Sequence, residues 1–337
     1  MHSAFIGHGT TRRKIIEYIK KNGSARPYDL AHVLGISAQA LHAHLRKLLH
    51  DQIIVKKGSP PLVFYVLVDQ PKNLPNSPSA PLDPAIQKII NENYMDISPE
   101  GVISEGVESF VNWTKRTNPS QKLDSLAREY VDIQKKASQF YNSDGLISGI
   151  GKIKNIFPET VLNEILYLDF YSLPKFGKTR LGQIVLHGKQ SQDVKMIAAL
   201  AENIRDKFQF IIKKYKIDAW AWAPHSIPRK HPFLTVLKRH LPITLPEIEV
   251  VKAYKGSILV AQKSLSRLEE RIQNAHETIF VLGKDHRYKR ILIVDDALGS
   301  GATMNEIALK IKNDSTQFIM GVVLVGSYKG FEVIREV

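Results

Sequence analysis

The sequence predicts an α/β fold on a mainly parallel sheet, preceded by a small module of three helices and a hairpin and by a helical middle section. Three observations predict it. From about residue 183 onward the short β-rich runs Ile217–Ala223, Glu247–Ala253, Arg290–Val294 and Gln317–Val325 alternate with segments of helical period, the pattern of strands joined by crossover helices. One of those runs ends in two adjacent carboxylates and a loop of small residues that opens a helix. Residues 69–84 carry Pro71, Pro75, Pro78, Pro81 and Pro84, which fix φ, remove donors and make a stiff extended spacer. The expected boundaries are 1–70 for the first module, 71–84 for the linker, 85–182 for the helical stretch and 183–337 for the α/β domain.

At 337 residues the chain has room for two or three domains of roughly 100–200 residues each. Its 47 Lys and Arg exceed its 33 Asp and Glu, a formal net charge of +14. That excess points to a polyanionic partner, nucleic acid first; a generally basic solubilising surface would give the same count. There is no cysteine, which excludes disulfides, thiolate catalysis and Cys-ligated zinc. No apolar run approaches the roughly 18 residues that span a bilayer, and no basic-then-apolar signal opens the sequence. A soluble, cytoplasmic protein without a membrane partner is expected.

Within the first module, Thr10 or Thr11 can cap a helix bearing Ile15, Ile16 and Ile19, and Gly23 ends it. Pro27 sits where a second, short helix starts, and Gly35 stops it in a position suited to a left-handed cap. Ser37 caps a third helix with Leu41, Leu45 and Leu48 on one face. The β-rich runs Ile53–Val55 and Val63–Leu67 then flank Lys56-Lys57-Gly58-Ser59-Pro60-Pro61, a basic hairpin. This stretch resembles the winged helix-turn-helix family of DNA-binding domains. The resemblance implies a third helix in the major groove and a wing on the backbone. With the leucines inside, Gln39, His42, Ala43, Arg46 and Lys47 face outward. Gln39, His42 and Arg46 are the base-reading candidates, because Gln and Arg pair bidentately with adenine and guanine edges. Lys56 and Lys57 suit phosphates. The DNA-contacting set is thus Ser37, Gln39, His42, Arg46, Lys47, Lys56 and Lys57. Ten basic residues against four acids over residues 10–70 support it; a winged helix used only for protein contact is the alternative. His42, His44 and His50 lack an acid or cysteine to complete a metal site.

In the middle stretch, Leu123, Leu126, Tyr130, Ile133, Ala137 and Phe140 recur at three- and four-residue steps, a one-faced helix. Such a stripe belongs to a core or an interface, and no chemistry shows there. Gly145, Gly149 and Gly151 mark a softer break near residues 142–154.

The most informative string is Arg290-Ile-Leu-Ile-Val-Asp-Asp-Ala-Leu-Gly-Ser-Gly-Ala-Thr303. Open α/β sheets bind ligands at the carboxyl ends of strands. Small residues let backbone N–H groups converge on an anion, and the following helix N-terminus adds partial positive charge. Ser300 and Thr303 add hydroxyls, and Asp295 and Asp296 can accept from a diol or help hold a divalent cation. A valine at Gly301 is expected to fill the phosphate's space. The string resembles the signature of the type I phosphoribosyltransferases. That resemblance implies Asp295 and Asp296 at the ribose hydroxyls, Gly299, Ser300, Gly301, Ala302 and Thr303 around the 5′-phosphate, and Mg²⁺ carried with phosphoribosyl diphosphate, not caged by protein alone.

Upstream, Gln262, Arg271, Asn274 and Phe280 are spaced as in the ComF-type members of that family, associated with DNA uptake, and Gly188 and Lys189 fit the start of the same domain. In that family a Pro and spaced arginines follow the second core strand, then an Arg-Gly-Phe-Asn-Gln string near the diphosphate. Here Ala223-Pro224-His225-Ser226-Ile227-Pro228-Arg229-Lys230-His231 begins similarly and lacks the string. Arg229 and Lys230 could face a diphosphate or stand on a solvated loop. Gly299 replaces the acid or threonine of several catalytic members. Two functions follow: a regulator whose DNA affinity answers to phosphoribosyl diphosphate or a nucleotide, as in purine operon repressors, or an active transferase held on DNA. The missing string ranks the regulator first, with a homodimer open. No Gly-x-Ser-x-Gly elbow, His-Glu-x-x-His helix or Walker loop points to other chemistry.

Overall fold

Helix Thr11–Asn22 opens the N-terminal unit and buries Ile15 and Ile19, four residues apart. The computed structural model describes residues 11–68, 82–283 and 285–328, in two units, Met1–Ser79 and Ala80–Val337. Helix Pro27–Leu34 starts on its proline and ends at Gly35 with φ 63° and ψ 33°. Ser37 caps helix Ala38–His50, its hydroxyl accepting from Ala40 N at 3.2 Å. Leu41, Leu45 and Leu48 are buried against Leu30, Ile15, Ile54 and Tyr65. Strands Ile54–Ser59 and Leu62–Leu67 pair antiparallel from Ile54 opposite Leu67 to Ser59 opposite Leu62. Ala25 and Tyr65 exchange backbone bonds of 2.9 and 2.8 Å, which ties the turn between the first two helices to the hairpin. The linker expected at 69–84 falls at 69–81 outside the described residues. Its last proline, Pro84, instead starts helix Pro84–Asn93, capped by Asp83.

In the second unit a six-stranded sheet runs in the order Glu247–Ile248, Ala219–Trp222, Arg290–Leu298, Phe318–Gly326, Glu164–Phe170, Ile147–Ser148. The first five strands are parallel, and the last pairs antiparallel. Ile291, Leu292, Ile293 and Val294 are all fully buried, as a strand covered on both faces requires. Ile291 and Ile293 point to one layer, Leu292 and Val294 to the other. Helices Arg180–Ser191, Val194–Lys214 and Phe233–His240 cover one face; Gly106–Thr117, Leu123–Ser138 and Ala302–Ile311 supply the other. Val194–Lys214 shows why these helices form. Asp193 accepts from Lys195 N and Met196 N, and Ile197, Leu200, Ala201, Ile204, Phe208 and Ile211 make its single buried stripe.

The stretch read as a helical section is not separate from the sheet. Glu164–Phe170 lies beside Phe318–Gly326, with Ile165 opposite Gly321, and Ile147–Ser148 forms the edge. Two leucines among its seven residues, Glu164-Ile-Leu-Tyr-Leu-Asp-Phe, carry strong helix propensity. Burial of Ile165 through Leu168 between both helical layers overrides it. Helix Leu123–Ser138 stands where the spacing placed it. Phe140 lies past its end, half-exposed, edge-on to Phe170 with centroids 5.7 Å apart.

Candidate functional site

Two constellations carry chemistry, one in each unit. In the first, the leucine stripe turns the opposite face of helix Ala38–His50 to solvent, so Gln39, His42, Arg46 and Lys47 are all exposed. Gln39, His42 and Arg46, at steps of three and four, share one face. Lys56 and Lys57 are exposed on the first hairpin strand. Ser37 is exposed too, but its hydroxyl oxygen is engaged in the helix cap.

In the second unit a cleft of about 250 Å³ opens at the carboxyl end of strand Arg290–Leu298. Asp295 to Thr303 all line it, together with Lys189, Arg229, Gln262, Arg271 and the start of helix Phe233–His240. The strand carries both carboxylates in its last four residues, and Asp296 N donates to Asp295 Oδ1 at 2.7 Å. Lys189, on helix Arg180–Ser191, reaches Asp296 Oδ1 at 3.2 Å and Oδ2 at 3.0 Å. Burial, and then the Asp296 charge, push the Asp295 carboxyl up to about 7, against Lys189 and Lys252. Burial pushes the Lys252 ammonium down to about 8, with the Asp295 charge holding it up. Lys252 donates to Asn274 Oδ1 at 2.9 Å.

Gly301 ends the small-residue loop with φ 80° as the N-cap of helix Ala302–Ile311 and has no side chain to cap it. A β-carbon at Gly301 would lie 2.2 Å from Ile153 Cδ1 and 3.7 Å from the Phe157 ring. The expectation that a side chain there would fill the phosphate's space is therefore corrected. It would meet helix Ile150–Ile156 and Phe157 behind the loop. Ser300 Oγ lies 3.4 Å from Ala302 N, a weak local bond that leaves the hydroxyl proton available.

Arg271 is only 6% exposed. Its Nε donates to Leu265 O at 2.8 Å, and Gln262 Nε2 donates to Arg271 O at 3.1 Å. Arg229 also lines the cleft and donates to Lys189 O. Lys230 is exposed and does not line it. Among the described residues no group of three or more His, Cys, Asp or Glu could hold a metal ion, and no helix is long and apolar enough to cross a membrane.

The ion pair of Lys189 with Asp296 and the placement of Lys252 escaped the sequence reading. Lys189 lies 107 residues from its partner, beyond any local spacing. Lys252 left one signal, a lone charge in the β-rich run Val250-Val251-Lys252.

Residues 10–55 match the winged helix-turn-helix DNA-binding family. No curated protein matches the chain. Among solved structures, a hypoxanthine-guanine phosphoribosyltransferase from Bacillus anthracis is 14% identical, with a TM-score of 0.25 over 41% of this chain and 70% of that one. A hypoxanthine phosphoribosyltransferase from Staphylococcus aureus is 13% identical, with a TM-score of 0.24 over 42% of this chain and 68% of that one. Likeness at this level says nothing about activity, and the cleft is read from its own geometry.

Proposed function

We propose that the chain is a DNA-binding protein whose α/β unit takes phosphoribosyl diphosphate or a nucleoside 5′-phosphate, and that this ligand tunes its affinity for DNA. One observation carries the ligand half. Two recessed carboxylates and a helix-opening loop of small residues line one cleft at the carboxyl end of a central parallel strand. Asp295 and Asp296 are the groups for ribose hydroxyls, and Gly299, Ser300, Gly301, Ala302 and Thr303 are the groups for the 5′-phosphate. The match of residues 10–55 to a DNA-binding family supports the other half, with Gln39, His42 and Arg46 reading bases and Ser37, Lys47, Lys56 and Lys57 on the backbone.

Magnesium suits the residues present as a passenger of the ligand. Mg²⁺ binds through one or two carboxylates plus substrate phosphates, and the cleft offers Asp295 and Asp296 in place of a protein cage. The ion would shield diphosphate charge beside Arg229.

The ComF-like spacing of Gln262, Arg271 and Asn274 supports a phosphoribosyltransferase ancestry for this unit. We rank a regulator above an active transferase because Gly299 brings no acid or hydroxyl to the loop and the Arg-Gly-Phe-Asn-Gln string is missing. A homodimer is part of the reading as the body that would carry two winged helices to paired half-sites. A turnover assay with Mg²⁺ and phosphoribosyl diphosphate, run with and without duplex DNA, tests the ranking. Diphosphate release is expected to be slow or absent unless an acceptor is supplied. Multiple turnover at ordinary enzymatic rates reverses the ranking.

A further inference from the structure

We infer that Arg271 is the charged contact for a phosphate group seated over Gly299–Gly301, and that it makes the cleft select phosphate esters over neutral sugars. The inference rests on the ligand reading above and adds a residue from outside the signature segment, on helix Leu268–Thr278.

A guanidinium carries five N–H donors and no acceptor, so a buried one must find partners for them. Arg271 is nine-tenths buried, yet its Nη2 has no hydrogen-bond partner among the described residues. Its one side-chain bond runs from Nε to the Leu265 carbonyl. Among those residues no carboxylate forms an ion pair with it, although Asp295 and Asp296 line the same cleft. Burial also works against its charge and lowers its pKa. A cation taken out of water without a counter-charge is costly, and the fold retains this one.

The guanidinium is seated against the loop. Its Nη1 lies 3.7 Å from where a β-carbon at Gly299 would stand, and both residues line the cleft. A β-carbon at 299 would stand in van der Waals contact with Nη1, so glycine keeps the guanidinium uncovered on that side. The backbone at Gly299 is not left-handed, so other residues could occupy it without strain. Two residues further on, helix Ala302–Ile311 opens at Gly301, which has no side chain to cap it. A phosphate over this loop would receive the loop N–H groups and the helix dipole together with the charge and N–H donors of Nη1. A neutral sugar would leave the cation without a counter-charge.

Isothermal titration of the full chain with ribose 5-phosphate, with ribose as the neutral control, tests this in the wild type, Arg271→Gln, Arg271→Lys and Gly299→Asp. The wild type is expected to bind ribose 5-phosphate and not ribose. Arg271→Gln should weaken ribose 5-phosphate by about ten- to hundredfold, the worth of a charge-assisted bond. Arg271→Lys should restore only part, since an ammonium keeps the charge but loses the Nε bond to the Leu265 carbonyl that seats the guanidinium. Gly299→Asp should supply the missing carboxylate in cis, raise the thermal midpoint and abolish phosphate binding. If Arg271→Gln fails to fold, Gly299→Asp carries the test. Unchanged ribose 5-phosphate affinity in either folded variant overturns the role of Arg271 while leaving the ligand reading standing. A wild type that binds no phosphate ester overturns the ligand reading, and this inference with it.

Discussion

The half-buried carboxylate of Asp295 should leave a measurable imprint on stability. Its pKa rises from 3.8 to about 7 on folding. Over that window the native state holds a proton that the unfolded state has released, so stability falls as pH rises from about 4 to about 7 and levels off above. Three pKa units at 1.36 kcal/mol each set a ceiling of about 4 kcal/mol; between pH 5 and 7.5 the same values give about 2–3 kcal/mol. Asp295→Asn has no proton to lose, and its amide oxygen can still accept from Asp296 N. Its stability relative to wild type should therefore grow by about 2–3 kcal/mol from pH 5 to pH 7.5. Urea unfolding followed by tryptophan fluorescence reads this unit alone, because Trp113, Trp220 and Trp222 all lie in it. Stopping at pH 7.5 avoids Lys252, whose pKa falls to about 8 on folding and which works in the opposite sense above that point. A stability difference that stays constant within about 0.5 kcal/mol across the window, a fraction of one pKa unit, would show that Asp295 is ionised throughout, and the reasoning from burial would fail.

Other substitutions separate the two constellations. Arg46→Ala should relax preference at one base pair by about 1–3 kcal/mol in a binding-site selection, if the residue reads a guanine edge; an unchanged preference profile removes it from the reading set. Lys56→Ala and Lys57→Ala should weaken all duplexes alike and reduce the slope of log K against log salt by about one unit each, and an unchanged slope places the wing away from the backbone. Gly301→Val should lower stability by about 2–5 kcal/mol, from left-handed backbone strain and overlap with Ile153. Pairing it with Ile153→Ala should recover the overlap part only, and full recovery would mean the backbone carries no strain.

What the sequence made legible was local. Gly35 ends the second helix and Ser37 caps the third because capping chemistry acts over three or four residues, and the leucine stripe follows from the helix period. Strand Arg290–Leu298 was legible because four consecutive apolar residues suit a strand covered on both faces. Strand Glu164–Phe170 was not, because its leucines favour a helix and only the sheet beside it decides otherwise. The pairing of Lys189 with Asp296 and the seat of Arg271 against Gly299 depend on three segments meeting at one end of the sheet. No local spacing encodes that meeting.

Linkage offers the most direct test. A ligand that couples to DNA binding must change DNA affinity by the factor by which DNA changes ligand affinity. Fluorescence anisotropy of a labelled duplex, titrated with the full chain with and without Mg²⁺ and phosphoribosyl diphosphate, reads one side of that cycle. Titration of the ligand with and without DNA reads the other. A matched shift of about 5–150-fold on both sides is expected, lost in Asp295→Asn and Asp296→Asn while their ligand-free DNA binding stays intact. Ligand that binds in the cleft and leaves DNA affinity unchanged would contradict the account.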